Sequence, residues 1–153
     1  MIATMKEFIK NKILKKPVES LSFYQIIGEE NGVYQLVKNF YDVMESDSFA
    51  KECLEVHELI EGAVEDEVKK KFFMFLCGWF GGPQLFAKAY GHPRMRSRHM
   101  HVPIQAAEKV QWIYCMNKAL EMHRAYGSKK LSKREKREYI NSFAVLANRI
   151  QNR

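Results

Sequence analysis

The sequence predicts an all-α fold, and three observations predict it. Apolar residues return at intervals of three and four along most of the chain, the spacing of one helix face. Eight glycines and four prolines in 153 residues leave few turns for an all-β sandwich. A hydrophobic fraction of 46% with 12% aromatic residues supplies one core, which excludes a wholly disordered chain and fits a single domain.

The elements follow in order. In residues 1–20, Ile2, Met5, Ile9 and Ile13 lie near helical spacing with Lys6, Lys10 and Lys12 between them. This reads as a short basic amphipathic helix, an extension laid over the domain; a single such helix binds membranes weakly. The domain itself is read as residues 21–153. Ser20 to Gly28 is a turn and a short helix. Val33, Val37, Phe40, Tyr41 and Met44 form an apolar stripe that Asp47 and Ser48 break. Residues 48–64 read as a short helix followed by an acidic loop. From residue 65, Val68, Phe72, Phe75 and Trp79 share a face, with Phe73, Leu76 and Phe80 beside it, so this helix is buried over most of its circumference. Gly81-Gly82-Pro83 ends it. A long helix over about 104–124 carries Ala106, Val110, Ile113 and Leu120 on one stripe, with Trp112 and Met116 adjacent. Gly127 and Ser128 make a turn. The last helix, about 131–151, turns Tyr139, Phe143, Leu146 and Ile150 inward and has a charged first half.

Charge and cysteine usage narrow the function classes. The net charge of +7 is concentrated at the ends: five Lys against two Glu in residues 1–20, and nine Lys and Arg against two Glu in residues 124–153. The body between them is mildly acidic, which argues against a nucleic-acid binder, whose basic face belongs on the folded body. No apolar run reaches the roughly 18 residues of a membrane span, and residues 1–17 lack the apolar core of a secretory signal. Cys53, Cys77 and Cys115 form no CxxC pair and suit a reducing cytosol, so a cytoplasmic location is expected.

Two features carry chemistry. Residues 72–80 hold four Phe and one Trp, a density that serves either as ordinary core or as the wall for a flat apolar ligand. His99 is either a structural histidine or a metal ligand, its neutral imidazole offering one lone pair. His99 and His101 are too close for a shared helical zinc site, no cysteine lies near, and no HExxH occurs. Arg94, Arg96 and Arg98 beside one histidine fit a disc with carboxylates at its edge and a metal at its centre, which is the anatomy of haem.

Phe40-Tyr41, Gly78-Trp79-Phe80-Gly81-Gly82-Pro83, Tyr90-Gly91-His92-Pro93-Arg94-Met95-Arg96-Ser97-Arg98-His99, then Trp112 with Cys115-Met116, in this order and spacing, resemble the group II truncated haemoglobins. The match spans about residues 24–124. The resemblance implies a two-over-two helical sandwich holding haem b. It implies His99 as the proximal iron ligand, Trp112 over the distal face, and Tyr41 as a distal hydroxyl. Arg98, with Arg94 or Arg96 on the same edge, would meet the propionates. Phe72, Val68, Phe86 and Met95 would line the haem.

The chain departs from the family between Ser48 and Glu65, where it is several residues longer. Counting without a gap places Leu54 at the third distal position; a three-residue insertion places His57 there, the reading favoured. The polar positions of the aromatic helix are the apolar Val68 and Phe72. An acidic loop with Gly62 is expected to be mobile enough to swing a side chain onto the iron, Tyr41 first and His57 as the alternative. Function is then oxygen binding or transport, or binding of nitric oxide or carbon monoxide. The second class is a haem enzyme, a peroxidase or a nitric oxide scavenger, needing an external electron donor because no reductase domain fits in this length. The third is a basic-tailed binding module without haem.

Overall fold

The computed structural model describes residues 21–124 and 129–153. The expected N-terminal helix and the Gly127-Ser128 turn lie outside the described residues. Eight α-helices are present among the described residues: α1 (Phe23–Ile27), α2 (Glu29–Ser46), α3 (Lys51–Glu55), α4 (Asp66–Trp79), α5 (Leu85–Tyr90), α6 (Met95–His99), α7 (Ala106–Met122) and α8 (Lys133–Ile150). A short 3-10 turn, Ser48–Ala50, precedes α3, and a hairpin of two two-residue strands, β1 (Leu59–Ile60) and β2 (Ala63–Val64), separates α3 from α4.

Local chemistry sets the helix ends. Ser22 and Ser132 accept from the backbone N–H groups of Gln25 and Glu135, whose side chains reach back to the cap, so α1 and α8 both open on capping boxes. Gly28 ends α1 and starts α2 at φ 107°, which L side chains rarely adopt. In the Gly81-Gly82-Pro83 turn the two glycines have different reasons. Gly81 takes φ 92°, and a Cβ on Gly82 would stand 2.5 Å from the Tyr24 ring. The turn thus lets α1 close against the end of α4, where the Tyr24 amide donates to the Phe80 carbonyl at 2.9 Å.

Helix α2 packs on both α4 and α7, and α7 packs on α8, giving the two-over-two sandwich. The core runs between them: Val33, Leu36, Val37, Phe40 and Met44 from α2 meet Leu76 of α4, Met116 and Leu120 of α7, and Phe143 and Leu146 of α8. The inward stripes of α2 and α8 match the periodicity. That of α7 does not. Trp112, Cys115, Met116, Ala119 and Leu120 are buried, whereas Val110 is 53% exposed and Ala106 is exposed too. Apolar residues surround this helix, so periodicity alone left two faces to choose from.

The Ser48–Glu65 stretch is more ordered than an acidic loop. Glu61 and Gly62 turn the hairpin at positive φ. Buried Val64 anchors it, and its amide donates to Glu45 Oε1 at 3.3 Å. Glu45 also pairs with Lys69 at 2.7 Å, tying α2 to α4 across the hairpin.

Candidate functional site

The residues singled out by sequence fall into two neighbouring groups. The first surrounds Phe72, which the inward face of α4 presents. The Phe72 ring lies 6.0 Å from that of Tyr41 on α2 and 5.9 Å from that of Trp112 on α7, the latter pair stacked. The His57 ring stands edge to face with Tyr41 at 6.1 Å. His57 therefore stands beside Tyr41, and Leu54 is partly buried against the core. Val68, one turn before Phe72, is half-buried on the same helix.

The polar atoms of this group are unevenly satisfied. Trp79, the other tryptophan, donates its indole N–H to Ser142 Oγ at 2.9 Å. Trp112 has no such bond among the described residues, although it is 91% buried. Tyr41 is buried and its hydroxyl has no hydrogen-bond partner among the described residues; desolvation holds its pKa well above the ordinary phenol value. Two donors carried by buried residues thus lie around Phe72 without a protein acceptor among the described residues, and neither atom is sealed from a small guest, so both are available to a ligand.

The histidines are in the complementary state. His99 Nδ1 lies 2.6 Å from the Met95 carbonyl oxygen, one turn back on α6. A carbonyl only accepts, so Nδ1 carries the proton and Nε2 keeps its lone pair. Burial lowers the pKa of His99, the Met95 carbonyl opposing this, and keeps the imidazole neutral. His57 repeats the arrangement: Nδ1 donates to the Cys53 carbonyl at 2.8 Å, and burial lowers its pKa against the opposing pull of that carbonyl. His92 is structural by contrast, its Nδ1 accepting the Arg94 amide at 3.1 Å in a turn where Arg94 takes φ 45°.

Two residues that the sequence reading missed hold these side chains in place. Gln111, buried beside Trp112, accepts from the Cys53 amide at 2.8 Å and donates to Glu52 at 2.7 Å, fixing α3 and hence His57 to α7. Asn152 donates to the carbonyls of His99 and Val102 at 2.9 and 3.0 Å, so the end of α8 fixes the end of α6. A glutamine at a buried helix position is a readable signal for the first. Nothing local marks the second.

The second group lines a cavity of about 950 Å³ between α4, α5, α6 and the end of α8. Phe86, Met95, Arg94 and Arg96 face it; Tyr41, His57, Phe72, His99 and Trp112 do not. Arg98 is on the other flank of α6. Its guanidinium donates to the Tyr90 carbonyl at 3.2 Å and covers the Phe86 ring at 5.1 Å. Two residues apart on a helix is about 200° of rotation, so Arg96, which reaches the Gln151 carbonyl at 3.4 Å, does not share an edge with Arg98. Of the two arginines expected beside Arg98, this leaves Arg94, four residues and about one helical turn before it.

The sequence model of the family described as bacterial-like globin matches residues 22–151. The chain belongs to the bacterial-like globins. Among curated relatives of this globin is the group 2 truncated hemoglobin of Bacillus subtilis (strain 168), 35% identical over 98 residues, which are 64% of this chain and 68% of that protein. Among solved structures, the cold-adapted truncated hemoglobin of the Antarctic marine bacterium Pseudoalteromonas haloplanktis TAC125 superposes with a TM-score of 0.76 at 35% identity, covering 87% of this chain and 99% of that one. The group II 2-on-2 hemoglobin of Agrobacterium tumefaciens gives 0.74 at 28% identity, with 89% and 98% covered. The resemblance carried by the GGP and GHPRMRSRH segments and the downstream Trp112 is borne out. No helix of the globin, among the described residues, is long and apolar enough to cross a membrane.

Proposed function

We propose that this globin holds haem b through His99 and keeps a diatomic gas (oxygen, nitric oxide or carbon monoxide) on the opposite face, beside Tyr41 and Trp112. The observation that carries the reading is the complementarity of unpaired atoms. His99 offers an Nε2 lone pair with its tautomer fixed by Met95, while two donors on buried residues, the Tyr41 hydroxyl and the Trp112 indole N–H, have no protein acceptor among the described residues and stay reachable by a small ligand. The residues fit the group. Bound haem supplies an iron with one position for a histidine and one for a small ligand. Phe72 and Val68 keep water from that ligand, and Tyr41 and Trp112 donate hydrogen bonds to it. Arg98, exposed next to His99 on α6, would meet a propionate, with Arg94 one turn before it.

The competing reading, a peroxidase or nitric oxide scavenger, asks for a proximal histidine made strongly basic by a carboxylate. The partner of His99 Nδ1 is a backbone carbonyl, which favours reversible ligand binding. Visible absorption spectra of the ferric, ferrous and carbonyl forms test the proposal. A globin-type spectrum is expected, abolished or greatly weakened by His99→Ala and retained in His92→Ala and His101→Ala. A flat spectrum after haem loading, or loss on His101→Ala alone, overturns it.

A further inference from the structure

The two basic ends of the chain meet at one corner of the fold. Tyr139 of α8 donates its hydroxyl to the Phe23 carbonyl of α1 at 2.5 Å, and the two rings lie 4.7 Å apart. His123, just past α7, donates to the Ile27 carbonyl at the other end of α1. Arg124 then pairs with Lys130 in an antiparallel bridge just ahead of α8. Arg124, Lys129, Lys130, Lys133, Arg134 and Arg137 are all exposed here, and among the described residues only Arg134 of these six forms an ion pair. Lys16 stands five residues before Leu21, a reach of at most about 18 Å, so the lysine-rich end of residues 1–20 belongs to the same corner whatever path it takes. Glu29 and Glu30 begin α2 beside it. With them counted, residues 1–30 and 124–138 hold twelve Lys and Arg against six Glu, so six of the seven net positive charges sit at this corner.

We infer that this corner docks on an anionic phospholipid surface, with the apolar positions of residues 1–20 entering the headgroup layer. Ile2, Met5, Ile9 and Ile13 recur near helical spacing among lysines, and such a segment alone binds membranes weakly. Attachment becomes stable when a second signal acts beside the first, and a polybasic patch is one such signal. The fold supplies it by placing the basic start of α8 next to the segment. Each Lys or Arg near a charged leaflet adds to the attraction, within a Debye length of roughly 8 Å. Residues 129–138 expose no large apolar side chain, so this part of the surface suits headgroups, and the apolar share falls to residues 1–20. A nucleic acid would use the same charges and leave the four apolar positions without a role. Membrane docking needs no haem, so it and gas binding fail separately.

Co-sedimentation of the full chain with vesicles decides the matter, using phosphatidylglycerol and phosphatidylcholine in equal parts against phosphatidylcholine alone. Binding to the anionic vesicles is expected, falling as salt rises, with binding to the zwitterionic ones weaker by about tenfold or more. Lys133→Gln with Arg137→Gln removes two exposed charges from α8 and should weaken binding about thirtyfold, each charge contributing about fivefold. Lys129→Gln with Lys130→Gln serves in its place if circular dichroism shows that the first pair loses helix. Ile9→Gln with Ile13→Gln leaves every charge in place and should still weaken vesicle binding by about tenfold. Equal binding to both kinds of vesicle, undiminished binding in the α8 variants, or no binding at all overturns the membrane assignment. Vesicle binding indifferent to the two isoleucines shows a general polyanion surface, tighter binding of a DNA duplex than of vesicles assigns the corner to nucleic acid, and either result overturns it as well.

Discussion

Tyr41 and His57 face each other at 6.1 Å, and burial removes charge from both. It holds the phenol protonated and the imidazole neutral, raising one pKa and lowering the other. Tyr41 is therefore suited to donate a hydrogen bond and poorly suited to bind iron as a phenolate. His57, whose Nδ1 donates to the Cys53 carbonyl and leaves Nε2 available, is expected to serve as internal ligand ahead of Tyr41. A six-coordinate low-spin ferric fraction at neutral pH is expected to survive Tyr41→Phe and disappear in His57→Ala, as read by resonance Raman or electron paramagnetic resonance. A sixth ligand of water or hydroxide, unchanged in both variants, refutes it. The two donors have a kinetic signature. Hydrogen bonds to a polarised acceptor contribute about 1.5–3 kcal/mol, so Tyr41→Phe and Trp112→Phe should each speed oxygen dissociation about tenfold to a hundredfold. Their effects should fall short of additive because both donors serve one ligand. Stopped-flow oxygen release from the single and double variants checks this.

At the scale of elements, the joint between α7 and the α1–α2 corner rests on His123. Its Nε2 donates to the Ile27 carbonyl at 2.7 Å, and its Nδ1 is buried without a partner among the described residues. Burial lowers the pKa of His123 against the weaker, opposing pull of the Ile27 carbonyl. The unfolded chain consequently takes up this proton first as the pH falls. The contribution of His123 to stability is whole above the unfolded value of about 6.5 and declines below it. Urea midpoints should drop between pH 7 and pH 5, and the drop should be smaller in His123→Gln. An equal drop in both proteins would show that the corner does not depend on this group. The hairpin between α3 and α4 is the other element with a consequence. Held by Val64 and Glu45, it keeps His57 near Tyr41, so an internal ligand needs movement of a side chain rather than of a free loop.

For the whole molecule, haem is the ligand whose removal matters most. Anything that binds the folded state alone stabilises it by mass action, about 4 kcal/mol at a thousand times the dissociation constant. In a chain of 153 residues that corresponds to a melting temperature about 10 °C higher with haem than without. On the proposed function, Arg98 is expected to serve haem retention more than the fold. It is exposed and bonded only to backbone carbonyls, so Arg98→Ala should leave the haem-free melting temperature unchanged and speed haem transfer to an acceptor globin.

Local pattern in the sequence determined the helices, their inward stripes in α2, α4 and α8, and the segment that carries His99. Helical periodicity and cap chemistry act within windows of a few residues, and such windows are written in the chain itself. The same holds for the need for glycine at Gly81. Tertiary structure decided the rest. It chose the Trp112–Cys115–Met116 face of α7 over the Ala106–Val110 face, because only the packing of α2 and α8 says which side is covered. It placed His57 beside Tyr41, with α3 held to α7 through a Gln111 bond that spans 58 residues. It sent Arg96 and Arg98 to different flanks and let Asn152 clamp His99 from 53 residues away. Such contacts join segments that share no local pattern, and they exist only once the chain has closed on itself.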